Sequence, residues 1–286
     1  MVRYNIGSDL DSIKALLRYS DAELSAELGV SEMTIGRWRE CDLKISENHI
    51  RSIYDYAYSQ GIRLNGIKEQ LYKEEFTNSD TIVLFHGAKY EITDDLSLDY
   101  SQDGKDFGRG FYCGESFLQS SMFVSTYSNS SVYIVKFNKT NELKSHRYMV
   151  DRDWLLTVAN CRGRLQEYAD SEIIQNLMNQ LHDCDYVVAP IADNRMFQLI
   201  DEFAEGTITD VQCQHALSAT DLGMQYVFLT DKALSNVELL TRCYLPDAEK
   251  NDYLNAKTES NKIAMDKVKL ARRNYRNEGL YIDQIL

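Results

Sequence analysis

Two prolines in 286 residues, Pro190 and Pro246, and the absence of any glycine- or serine-rich tract leave the chain without the punctuation of a long linker. Its domains are expected to adjoin one another compactly. No apolar run approaches the roughly 20 residues that a membrane helix needs, and no charged segment followed by an apolar stretch opens the chain. A cytoplasmic protein with no membrane partner is expected. The six cysteines, Cys41, Cys113, Cys161, Cys184, Cys213 and Cys243, stand singly with no C-x-x-C pair, which argues against a zinc site or a redox motif and for reduced thiols. The five histidines, His49, His86, His146, His182 and His215, also lack metal-ligand spacing, so no metal is expected. Positive charge is short as well: 31 Lys and Arg stand against 44 Asp and Glu, a net charge of -13. Such a chain gains nothing from non-specific attraction to phosphate backbones or anionic lipid, so contact with nucleic acid would need a local basic patch. What the chain does have is 44% hydrophobic and 26% charged residues, the balance of a globular protein that buries a core. Its length suits two modest domains or one large one.

The first sixty residues read as short helices. Ile13, Leu16 and Leu17 make one apolar face, and Ser20 with Glu23 matches the S-x-x-E capping box that opens a second helix through Leu24 and Leu28. Gly29 supplies a turn, and Ser31 is placed to cap a third helix carrying Thr34, Ile35 and Trp38. The segment SDAELSAELGVSEMTIGRWRE, with its spacing of Ala22, Leu24, Gly29, Val30, Ile35 and Trp38, resembles the helix-turn-helix of the Cro-type repressor family. That resemblance implies a third helix offering Ser31, Glu32, Thr34, Arg37 and Arg39 to the major groove, with Thr34, Arg37 and Arg39 as the DNA-binding candidates. Residues 1–60 nevertheless hold seven basic residues against ten acidic ones, a net of -3, without the basic footprint of a domain that binds DNA alone. Docking a partner protein or dimerising is the other reading of these helices.

Helical character continues over 61–76, and FTNSD then breaks it, placing a boundary near residue 77. TIVLFHG, SVYIVKF, YVVAPIA and QYVFLT read as strands, whereas 165–182 and 196–205 carry helical spacing, for instance Ile173, Leu177 and Leu181. Strands and helices interleave without regular β-α alternation and without a G-x-G-x-x-G after a strand, so the fold class expected is α+β. After Pro246, eight basic and seven acidic residues surround Ala264, Val268, Ala271 and Tyr275 at helical spacing, the pattern of a helix lying across a protein body or a partner. The basic residues among them, Lys262, Lys267, Lys269, Arg272, Arg273 and Arg276, are either a solvated face or a nucleic-acid contact. The organisation expected is 1–76, 77–246 and 247–286.

Four segments carry candidate chemistry: FHGAK at 85–89, KDFGRGFYCGE at 105–115, APIADNRMF at 189–197 and MQYVFLTDKAL at 224–234. Singly, a histidine and glycine ending a strand is a core residue and a turn, and F-G-x-G-F-Y is a glycine-rich bend between packing aromatics. In this order, over about 80–245, the set resembles the ADP-ribosyltransferase superfamily, in the branch with a histidine, tyrosine, glutamate signature, and more closely an uncharacterised bacterial family of that superfamily often preceded by a helix-turn-helix. The resemblance implies a split β-sandwich with helices, preceded by the helix-turn-helix bundle and followed by the helical tail. It also implies NAD as co-substrate.

By the same resemblance His86, Tyr112 and Gln225 take the catalytic positions. His86, Gly87, Phe107, Gly108, Gly110 and Tyr112 would hold NAD, together with Ser120 and Phe123, eight and eleven residues beyond the tyrosine. A strand-end histidine can bond a ribose hydroxyl, glycines admit the ligand to the backbone, and a tyrosine offers the nicotinamide a flat face. Arg195 and Lys105 are candidates for the pyrophosphate on charge alone. The departure from the pattern is Gln225, where the family has glutamate: an amide can hold a ribose hydroxyl but supplies no negative charge and no base. Asp106, Asp193, Asp221 and Asp231 are acids that could compensate. The activity implied is mono-ADP-ribosyl transfer to a protein or nucleobase, as a toxin of a toxin-antitoxin or phage-defence system, with an antitoxin or DNA as partner of the helix-turn-helix. The alternative is a non-catalytic regulator that senses NAD or ADP-ribose and binds DNA.

Overall fold

In the computed structural model, which describes residues 4–41, 45–192, 194–218, 223–276 and 278–286 (side chains of 194–197 and of Ala264 excepted), the early turns follow their chemistry. Ser20 Oγ accepts from Glu23 N at 3.2 Å while Ser20 N donates to Glu23 Oε2 at 2.8 Å, the two halves of a capping box. Ser31 Oγ likewise accepts from Thr34 N at 3.2 Å. Five helices result: α1 Ile6–Leu17, α2 Asp21–Glu27, α3 Glu32–Glu40, α4 Glu47–Ser59 and α5 Leu64–Phe76. Their shared core is Ile6, Leu10, Ile13, Leu24, Ile35 and Trp38 with Ile53 and Tyr54. Leu16, expected on the apolar face of α1, is 56% exposed. Because α1 begins at Ile6, its buried stripe runs through Ile6, Leu10 and Ile13, and Leu16 falls off that stripe.

The chain is α+β and divides into two compact units, one from Met1–Asp95, Ser116–Asn138 and Val237–Ala256, the other from Leu96–Glu115, Lys139–Asn236 and Lys257–Leu286. Neither boundary read from the sequence, after 76 or after 246, is an edge of a unit. In the first unit, strand β3 (Ser131–Asn138) lies antiparallel between β1 (Thr81–Ala88) and β7 (Val237–Tyr244). Helix α6 (Phe117–Val124) covers β1, with Phe117 edge-on to Phe85 at 5.7 Å. The five amino-terminal helices are stitched to these strands: buried Asn65 donates to Tyr244 O at 2.8 Å and to Glu249 Oε2 at 2.6 Å. The region 1–76 therefore belongs to the same packed unit as the strands.

A buried charge ties α1, α4 and α5 together. Lys68 Nζ donates to Asp9 Oδ2 at 2.7 Å, to Tyr54 Oη at 3.0 Å and to Tyr4 O at 2.8 Å, and Tyr54 Oη donates to the same carboxylate. Burial acts to lower the Lys68 ammonium, and the Asp9 carboxylate more than offsets it, so its pKa ends raised.

In the second unit, β2 (Phe111–Gly114) runs antiparallel to β6 (Met224–Phe228), which runs antiparallel to β5 (Tyr186–Pro190), itself parallel to the short β4 (Ser145–Arg147). Helices α7 (Arg152–Cys161), α8 (Glu172–His182), α9 (Asn194–Ala204) and α10 (Asp210–Ser218) supply the core with Trp154, Leu155, Leu177 and Phe203 against Val187 and Val227. On α8 the buried stripe is Ile174, Leu177 and Leu181; Ile173, expected on it, is 41% exposed. Short helices α11 (Asp231–Leu234) and α13 (Ile282–Ile285) also belong here, as does the part of the 28-residue helix α12 (Asp247–Asn274) from Lys257 on, its earlier residues belonging to the first unit. Of the stripe read in the tail, Ala271 is buried and Val268 packs against the second core; the side chain of Ala264 lies outside the described residues. Among the described residues no helix is long and apolar enough to cross a membrane.

Lys68→Ala removes the counter-ion of a buried carboxylate and is expected to cost about 3–5 kcal/mol in urea unfolding. The double variant Asp9→Asn/Lys68→Met, which removes both charges, is expected to lose less than Lys68→Ala alone.

Candidate functional site

Register on the paired strands β2 and β6 sets the geometry of two of the three catalytic candidates. Tyr112 lies opposite Val227 and Gly114 opposite Gln225. Directly opposed residues share a face, so Tyr112 and Gln225 are diagonal neighbours on one face, where side chains about 7–8 Å apart are within reach of an aromatic ring. Gly114 places no side chain opposite Gln225.

Gln225 is 6% exposed. Its Nε2 donates to Asp106 Oδ2 at 2.8 Å and to Pro190 O at 3.1 Å. Both partners only accept, so the amide nitrogen uses both hydrogens there and Oε1 is the end left for a ligand. Asp106 is 4% exposed and is gripped from two other directions: Arg162 donates to Oδ1 through Nε at 2.8 Å and also through Nη2, and Ala192 N donates to Oδ2 at 3.3 Å. Of the compensating acids, Asp106 is the one brought to Gln225. Asp231 is exposed at the start of α11, and Asp193 and Asp221 lie outside the described residues.

The Tyr112 ring is locked by its own turn. Its hydroxyl accepts from Phe107 N at 3.1 Å and donates to Gly108 O at 2.8 Å, and burial raises its pKa strongly. Lys105 Nζ stands 5.0 Å above the ring centroid. The face expected to stack a cationic nicotinamide thus already carries a cation, and Lys105, a pyrophosphate candidate in the sequence, is placed on that ring. Phe107, expected to touch NAD, is 3% exposed and packs 5.1 Å from Tyr148, so it serves the core. At Gly110 a Cβ would stand 2.7 Å from Val227 Cγ1 and 3.0 Å from Phe228 O; this glycine lets the chain enter β2 tight against β6. Arg195 stands in the first turn of α9 with its side chain outside the described residues.

The remaining candidates lie in the first unit. His86 is opposite Tyr133 in the β1–β3 ladder, on the strand face away from Phe85 and Gly87. A Cβ at Gly87 would stand 2.6 Å from Ser120 O and 3.0 Å from Val124 Cγ1, so glycine there permits α6 to press on β1. Ser120 Oγ donates to Phe85 O at 3.0 Å, which leaves its lone pairs for an amide N–H. Phe123, one turn on, is 65% exposed.

Among the DNA-binding candidates, Thr34 Oγ1 is bonded to Ser31 Oγ at 2.9 Å, and Arg37 is exposed, reaching Met33 Sδ at 3.4 Å. Arg39 instead braces the helices, pairing with Asp21 at 2.8 Å and with Asp11 at 2.8 Å. Hydrogen bonds from Arg39 and Lys14 hold Asp21 well below the usual carboxylate range.

Sequence reading missed Arg162 and the Pro190 carbonyl. Arg162 is 56 residues from Asp106 and follows the last turn of α7, so no local spacing points to it. A cleft of about 370 Å³ lined by Asn160, Ile174, Gln175, Met178 and His182 shares no residue with the candidates. The six cysteines are unpaired, and among the described residues no group of three or more His, Cys, Asp or Glu could hold a metal ion.

Residues 82–239 match the model of a family described as a protein of unknown function (DUF3990), and the chain belongs to that family. No curated protein and no solved structure matches the chain.

Gly87→Ala is expected to destabilise the protein by about 1–3 kcal/mol, the usual cost of forcing a methyl into a filled contact. A thermal unfolding midpoint equal to wild type would contradict the close approach of α6.

Proposed function

We propose that this protein is an NAD-dependent mono-ADP-ribosyltransferase acting on a protein side chain or a nucleobase, in the manner of a toxin of a toxin-antitoxin or phage-defence system. The observation that carries the reading is the pairing of β2 with β6, which puts Tyr112 and Gln225 on one strand face in the order of the tyrosine and glutamate positions of that superfamily. In this reading Tyr112 stacks the nicotinamide, and the Gln225 Oε1 accepts from a ribose hydroxyl. The reaction breaks the bond from C1′ to the nicotinamide nitrogen and forms one from C1′ to the acceptor. Nicotinamide leaves neutral, and the acceptor gives up its proton. The developing charge at C1′ asks for electrostatic stabilisation more than for a strong nucleophile.

A neutral amide at 225 supplies less of that stabilisation than a carboxylate, and its anchoring by Asp106 favours a second reading: a regulator that binds NAD or ADP-ribose without transfer and acts through the amino-terminal helices, where Arg37 is exposed.

Saturating NAD is expected to raise the melting temperature, since a ligand of the folded state adds about 2.7 kcal/mol at a hundredfold excess over Kd. Tyr112→Ala is expected to abolish the shift. Nicotinamide release and labelling of a cell extract with radioactive NAD separate the two readings: transfer supports the enzyme, a shift without release supports the regulator, and a wild type that NAD does not shift sinks both.

A further inference from the structure

The amide of Gln225 has two ends, and its neighbours permit one orientation. Turned over, Oε1 would face Asp106 Oδ2 and the Pro190 carbonyl at the distances now spanned by hydrogen bonds, three acceptors with no hydrogen among them. Asp106 has no freedom to yield, because Arg162 holds one oxygen through two nitrogens and Ala192 N holds the other. Gln225 and Asp106 are buried and Arg162 is 19% exposed at its side chain, so water does little to relieve a mismatch here. We propose that Asp106, braced by Arg162, is a positioning residue that turns the Gln225 amide nitrogen inward and presents Oε1 to a ribose hydroxyl, making the third catalytic position a neutral acceptor that glutamate cannot replace while Asp106 is present. The functional part of this rests on the NAD reading of the site.

Glutamate at 225 would set a second carboxylate beside the first, about 3 Å away, where both cannot ionise freely. Among the described residues the other titratable groups here are Arg162, Tyr112, Cys161 and Lys105, which stands over the Tyr112 ring. Burial pushes the Cys161 thiol up to about 12 and the Tyr112 phenol higher, so both stay neutral near pH 7, and Arg162 is the cation that bonds the 106 carboxylate. The contact between 106 and 225 therefore needs one acid and one amide, and exchanging them restores that contact at the expense of the Pro190 O and Ala192 N bonds.

The test uses the full chain and four proteins: wild type, Gln225→Glu, Asp106→Asn and the exchanged pair Asp106→Asn/Gln225→Glu. In thermal unfolding Gln225→Glu is expected below wild type at pH 7.5. A carboxyl raised in the folded state loses stability as pH rises above its unfolded value of about 4.3, so the deficit should shrink as pH falls toward 5. The exchanged pair is expected to melt above both single variants. Gln225→Glu melting like wild type across that range, or an exchanged pair no better than the sum of the singles, overturns the coupling. In nicotinamide release from NAD, Asp106→Asn is expected to lower kcat about tenfold with KM within about twofold, the loss of one oriented hydrogen bond in the transition state. The exchanged pair is expected to recover most of it. An Asp106→Asn enzyme that is stable and has unchanged kcat overturns the positioning role. If wild type neither binds nor cleaves NAD, the NAD reading fails, while the unfolding series still decides whether Asp106 orients residue 225.

Discussion

A carboxylate can only accept a hydrogen bond, and that asymmetry at Asp106 organises the candidate site of the second unit. Because Asp106 accepts from Arg162, from Ala192 N and from Gln225, it fixes the end of α7, the chain beyond β5 and the side chain at the head of β6 around one group. The turn that carries Asp106 continues into the Tyr112 hydroxyl, which closes on Phe107 N and Gly108 O. One buried acid thus positions the flat ring and the hydrogen-bonding amide by separate routes. Removing it would take from the half-buried Arg162 its ion pair and from the buried Gln225 one of its two acceptors, the costly way to break such a group.

The first unit depends on a charge of the same kind. Lys68 and Asp9, with Tyr54, bind three helices through a pair sequestered from water, and Asn65 carries the connection on to β7 and α12. A helix-turn-helix built as an independent reader of DNA needs no such stitching. Here a capping box at Ser20 and a turn at Gly29 join α2 and α3, yet Arg39 neutralises Asp11 and Asp21 within the bundle, and the exposed Arg37 is the arginine of the pair that remains turned outward.

Much of the fold was legible because its signals are local. The capping box at Ser20 and Glu23 depends on a spacing of three, and the apolar runs of β1, β3, β5 and β6 depend on strand periodicity. Stripes were read a residue out of phase on α1 and α8, where Leu16 and Ile173 face solvent, because apolar neighbours at adjacent positions leave the phase of a helix undetermined until its first residue is known. The compact units were beyond reach, since each is assembled from segments separated along the chain. At the candidate site, motif order named Tyr112 and Gln225, and the β2–β6 register sets them on one strand face. The role of Asp106 was not, because its partners lie 56 and 119 residues away and only the register of β6 brings them in. Phe107 misled for a related reason: an aromatic in a glycine-rich bend looks alike whether it meets a ligand or a core.

The account stands on NAD lying against the Tyr112–Gln225 face. A crystal structure of the protein with a non-hydrolysable NAD analogue tests this most directly. The nicotinamide ring is expected to displace Lys105 Nζ from the Tyr112 face, with a ribose hydroxyl about 2.7 Å from Gln225 Oε1. An analogue bound elsewhere, or a sugar that meets Gln225 through Nε2 with the Asp106 bond broken, would contradict it.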